Sequence, residues 1–126
     1  MRKKALIFIF LGIIVIFLGL ILFNKKNFQP NSFNSEKIIL FYSIGCPHCQ
    51  KVDEFIKENK IKEKISFEEK EVSLNKKNSK KLVEIANKCG FNENEIGVPF
   101  LWDGENQKCI IGDEPIINFF KSKINL

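Results

Sequence analysis

The sequence predicts an α/β fold, a mixed four-stranded sheet with helices on both faces, ordered βαβ, α, ββα and preceded by one N-terminal transmembrane helix. Three observations carry this. An uncharged run fills residues 5–23. An apolar run at residues 38–42 leads into Cys46-Pro47-His48-Cys49 and then a segment of helical period. Two short apolar runs flank Asp103-Gly104-Glu105-Asn106 and are followed by a last helical pattern. One crossover plus one hairpin makes a mixed sheet.

Residues 5–23 are Leu, Ile, Phe, Val and a few small residues. At ~1.5 Å rise the run nearly covers a ~30 Å hydrocarbon core once interfacial flanks are added. Arg2, Lys3 and Lys4 precede it; Lys25 and Lys26 follow. A cleaved signal peptide has a shorter apolar region and small residues at the cut. This run instead exits through Leu20-Ile21-Leu22-Phe23-Asn24, and no cysteine follows closely enough for a lipid anchor. Residues 1–26 therefore read as an uncleaved membrane anchor with basic flanks. The flank charges slightly favour a cytoplasmic N-terminus, a single span of the cell membrane and an extracytoplasmic domain.

The net charge of +5 belongs to those flanks, because from residue 27 onward 15 lysines balance 15 acidic residues. The basic pI thus points away from a nucleic-acid surface. Residues 27–35 are polar, hold one proline and lack periodicity, so they read as a tether. Residues 36–126 remain for the globular domain, enough for a small core rich in phenylalanine.

Within it, residues 37–42 read as a central strand. Residues 49–59 read as a helix whose Val52, Phe55 and Ile56 recur at i, i+3 and i+4. Cys49 falls on that apolar face and Cys46 does not, so the spacing assigns one protected and one exposed thiol. Residues 66–73 are charged and suit only an edge strand. Ser79 can cap a second helix, whose stripe is Leu82, Ile85, Ala86 and Cys89. Residues 99–102 and 108–111 form a hairpin. Asp113 can cap a last helix bearing Ile117, Phe120 and Ile124.

A strand that runs into CxxC at a helix start suits reversible dithiol–disulfide chemistry. Unpaired N–H groups and the helix dipole at that point favour a thiolate on Cys46. Cys49 sits one turn on, placed to attack a mixed disulfide. Pro47 suits the first turn, where its missing N–H is not needed. A His48 imidazolium stabilises the thiolate, so Pro47 and His48 tune the acidity of Cys46 and the ease of reduction.

Three features together, Cys46-Pro47-His48-Cys49, Gly97-Val98-Pro99 and Gly112-Asp113, resemble the thioredoxin-like, glutaredoxin-sized thiol–disulfide oxidoreductases across nearly all of residues 36–126. The resemblance implies a minimal thioredoxin-like fold, a cis Pro99 beside the dithiol, and Val98 and Pro99 aligning a substrate backbone. The Pro-His pair resembles bacterial enzymes that introduce disulfides into exported proteins. Three departures stand out. Thioredoxins carry a buried acid where this chain has Leu40, and a Trp where it has Ile44-Gly45. Glutaredoxins use two adjacent glycines for glutathione, whereas here the pair is Ile111-Gly112.

Cys89 and Cys109 stay open to three readings: small packed hydrophobes, a second structural disulfide, or a redox relay. All four cysteines could also form a zinc site, but Cys89 and Cys109 lack CxxC spacing. His48, the one histidine, has no metal partners nearby in sequence, so no metal is expected. Trp102 suits the core or a substrate rim. The expectation is a membrane-tethered thiol–disulfide oxidoreductase acting through Cys46 and Cys49, without a dissociable cofactor. Its expected partners are cysteine-bearing exported proteins and a membrane redox partner that resets the dithiol. The alternative is a tethered metal- or peptide-binding module without turnover.

Overall fold

The computed structural model describes residues 2–23 and 37–126. The chain divides into two compact units, Met1–Phe33 and Asn34–Leu126. The first contains one helix, α1 (Arg2–Phe23). The expected tether, residues 27–35, lies outside the described residues.

The expected membrane span is corrected. Among the described residues, no helix is long and apolar enough to cross a membrane. The side chains described on α1 run from Arg2 to Gly19 and begin with three cations, Arg2, Lys3 and Lys4. The single-pass location with an extracytoplasmic domain therefore does not stand. Nor does the fold class of a thioredoxin-like domain behind a transmembrane helix. The fold described is an α/β unit built on a four-stranded mixed sheet.

That unit contains β1 (Ile38–Tyr42), α2 (Pro47–Glu58), α3 (Ile61–Lys64), β2 (Phe67–Glu71), α4 (Lys76–Lys88), β3 (Phe100–Asp103), β4 (Lys108–Ile111) and α5 (Asp113–Lys123). The strand order is β2-β1-β3-β4. β1 pairs parallel with β2 and antiparallel with β3, and β3 pairs antiparallel with β4. The charged strand β2 lies at an edge, where ladder groups can face water and charge discourages pairing with a foreign strand.

Alternation along β1 and β3 divides the core. Ile38, Leu40 and Leu101 pack with Val52 and Ile56 of α2, Ile61 of α3, and Ile116 and Phe120 of α5. The opposite face carries Ile39, Phe41, Phe100 and Trp102, all buried. Helix α4 reaches that face with its own buried Leu82, Ile85 and Ala86. There Cys109, the β4 partner of Trp102, lies with its Sγ 3.8 Å from the Ile85 carbonyl. Trp102 thus belongs to the core, not to a substrate rim.

Three helix details differ from the sequence reading. Helix α4 starts before Ser79, because the Asn75 side chain accepts from the Lys77 and Asn78 N–H groups and supplies the cap. Helix α5 is preceded by Gly112, and Asp113 is its first residue instead of its cap. Its fully buried positions are Ile116 and Phe120, while Ile117 is half-buried. The one-turn helix α3 and a short 3-10 turn at Glu93–Glu95 carry too few residues for a periodic signal.

Candidate active site

The β1 strand ends at Tyr42, and a loop through Gly45, at φ 77°, turns the chain into α2. Cys46 is the N-cap and Pro47 the first helical residue. The N–H of Cys49 points at the Cys46 Sγ, 3.2 Å away. An N-terminal N–H with no partner inside the helix is thereby aimed at sulfur, a contact that strengthens when the sulfur is an anion. Cys46 is partly exposed and its Sγ lies 3.6 Å from the Val98 carbonyl oxygen. The Val98–Pro99 peptide bond is cis. The Pro99 carbonyl accepts from the Gly112 N–H at 3.0 Å, which ties this corner to the start of α5. Gly112 has φ 96°, a conformation L side chains rarely adopt, so the tie depends on glycine.

Cys49 is 7% exposed. Burial first, and its hydrogen bond with Cys46 second, push its thiol up to about 11. Removing a sulfur from water disfavours its charged form. The two thiols are therefore unequal: one faces the loop surface and the other is protected and protonated at neutral pH. Both are free, while Cys89 and Cys109 form a disulfide with Cα atoms 6.2 Å apart. That pair is therefore bonded and does not pack as free thiols. Because Cys89 and Cys109 are bonded to each other, a four-cysteine zinc site is not formed. Among the described residues, no group of three or more His, Cys, Asp and Glu side chains could hold a metal ion.

His48 does not stand alone. Its Nδ1 is 3.0 Å from Asp113 Oδ2, and Lys51 Nζ is 3.1 Å from the same oxygen. The hydrogen bonds from His48 and Lys51, in that order, hold the Asp113 carboxyl well below the usual carboxylate range. The start of α5 is thus pinned to the first turns of α2. Sequence reasoning missed this link. His48 and Asp113 are 65 residues apart, and nothing local to either residue names the other.

A lowered folded-state value means the carboxylate stabilises the fold above its unfolded value, ~3.9. That contribution is lost as pH falls further, through the folded-state value. We expect urea midpoints to fall more steeply below about pH 4 for the wild type than for Asp113→Asn.

The departures noted in the sequence are also placed. Leu40 is buried beneath the dithiol, and no carboxylate occupies its position. Ile44 is 67% exposed on the loop just before Cys46, an apolar surface at the mouth of the site. The chain matches no protein-family model, no curated protein and no solved structure among those compared.

Proposed function

We propose that this protein is a thiol–disulfide oxidoreductase of the kind its Cys46-Pro47-His48-Cys49 motif resembles. Cys46 is the attacking sulfur and Cys49 the resolving one. The observation that carries the reading is the Cys46 Sγ at a helix N-cap, accepting the Cys49 N–H while Cys49 itself is buried. Exchange needs an accessible sulfur to meet the substrate and a second within reach to close the ring. Val98 and Pro99 border the attacking sulfur, so an extended substrate segment can lie along the Val98 backbone. His48, held by Asp113, supplies positive charge beside the site when protonated.

The substrates are cysteine-bearing proteins, and a second redox protein returns the dithiol to its starting state. The dithiol carries the two electrons, so the step requires no dissociable cofactor. The test is turnover of an insulin-type disulfide substrate by the full chain. Activity should vanish in Cys46→Ser and persist in Cys109→Ser. Stoichiometric zinc binding with no turnover would instead make this a metal-binding module.

A further inference from the structure

Behind Cys49 lies a cavity of about 370 Å³ whose lining includes Cys49, Leu40, Asp53, Lys62 and Glu69. At ~30 Å³ per molecule, a polar space of that size admits several waters. Two carboxylates therefore share a wall with the buried thiol. They are not equivalent. Asp53 sits on α2, is 46% exposed and is bound to Lys57 one turn along the same helix. Glu69 pairs in register with Leu40. It also lies two residues beyond Phe67, which packs on the α2–α5 side of the sheet. By strand alternation its side chain faces that same side. Its side chain is 30% exposed and its Oε2 is 2.5 Å from Lys62 Nζ.

From this arrangement we propose that Glu69, held by Lys62, is the proton acceptor for Cys49, reached through the solvent of this cavity. The inference rests on the dithiol reading above and adds what that reading lacks, a destination for the Cys49 proton. When Cys46 carries a mixed disulfide, the Cys49 proton passes to the Glu69 carboxylate. The freed electron pair forms the Cys49–Cys46 bond. The bond between Cys46 and the substrate sulfur breaks, and that sulfur leaves as a thiolate with the bonding pair. The substrate is reduced by two electrons and the dithiol oxidised by two. In the opposite direction Glu69 returns the proton to Cys49. The charged and titratable groups around the thiol are Tyr42 at the end of β1, Cys46 and Asp53 on the α2 side, Lys62 on α3 and Glu69 on β2, with Lys57 bound to Asp53. A thiol pushed up to about 11 is protonated at neutral pH, so its attack there benefits from such a base.

The experiment is rapid mixing of the full chain, with Cys46 and Cys49 reduced and the Cys89–Cys109 bond intact, with dithiobis(nitrobenzoate). The first coloured thiolate reports attack by Cys46, and the second reports closure by Cys49. Glu69→Gln should leave the first release at the wild-type rate, which also shows that the variant is folded. It should slow the second about 10²-fold near neutral pH. The deficit should shrink as pH rises and Cys49 ionises unaided, and Glu69→Asp should recover much of the rate. An unchanged second release in Glu69→Gln, or slowing by the same factor at every pH, overturns the proposal. So does loss in Asp53→Asn with none in Glu69→Gln. If the wild type itself gives no second release, the dithiol reading fails, a result distinct from failure of Glu69 alone.

Discussion

Replacing Cys49 with alanine is expected to turn the protein from a catalyst into a trap. Cys46 keeps its exposure and its place at the N-cap, and the N–H it accepts belongs to the backbone of residue 49, which alanine retains. On the proposed chemistry, attack on a substrate disulfide should therefore still occur. Closure cannot, because the Cys49 sulfur that lies beside Cys46 is gone. Turnover should fall to the background rate while covalent adducts accumulate at Cys46. Non-reducing gels with mass spectrometry will show them, and Cys46→Ser should show none. The buried side of the site loses only a sulfur in a lining that already borders open space, so stability should change far less than activity.

The second large effect falls on stability. The Cys89–Cys109 bond closes a loop of 20 residues and joins the C-cap of α4 to the outer strand β4. The charged helix α4 covers one face of the core with only three buried side chains, Leu82, Ile85 and Ala86. A covalent tie there limits the unfolded chain and holds a lightly anchored element. Loop-closure entropy alone gives about 3 kcal/mol for a loop of this size. Cys89→Ala with Cys109→Ala should lower unfolding free energy by about that amount in urea titrations, with thiol exchange at Cys46 preserved. An equal fall in exchange activity would mean that this bond takes part in electron transfer.

Much of the α/β unit was readable from pattern. The Val52, Phe55 and Ile56 spacing marks α2, and the apolar run Ile38–Tyr42 with its short apolar partners marks three of the strands. The dithiol was readable too, because CxxC after a strand is a local signal and its burial asymmetry follows from helical period. What failed was the decision among elements whose competing signals are equally local. Asn75 and Ser79 are both capping residues, and only the Lys77 and Asn78 N–H groups choose between them. Ile116 and Ile117 are both apolar, and the direction in which α5 meets the sheet decides which is buried. The membrane reading failed in a different way. Hydropathy spoke for a span, yet no helix among the described residues is long and apolar enough for one.

The groups that surround the thiols were the least legible. Asp113 reaches His48 and Lys51 only because α5 begins beside α2. Glu69 in a charged edge strand reads as a solvated residue, and only the register with Leu40 brings it onto the side of the sheet that holds Cys49. Leu40 stands where thioredoxins carry a buried acid. The cavity instead places two carboxylates within the lining shared with the thiol.

The division of labour between the two sulfurs is tested most directly by timed alkylation of the reduced full chain at neutral pH, with each site quantified by mass spectrometry. An accessible Cys46 and a buried, protonated Cys49 predict that iodoacetamide labels Cys46 far ahead of Cys49. Equal labelling, or Cys49 reacting first, would contradict the assignment of attacker and resolver.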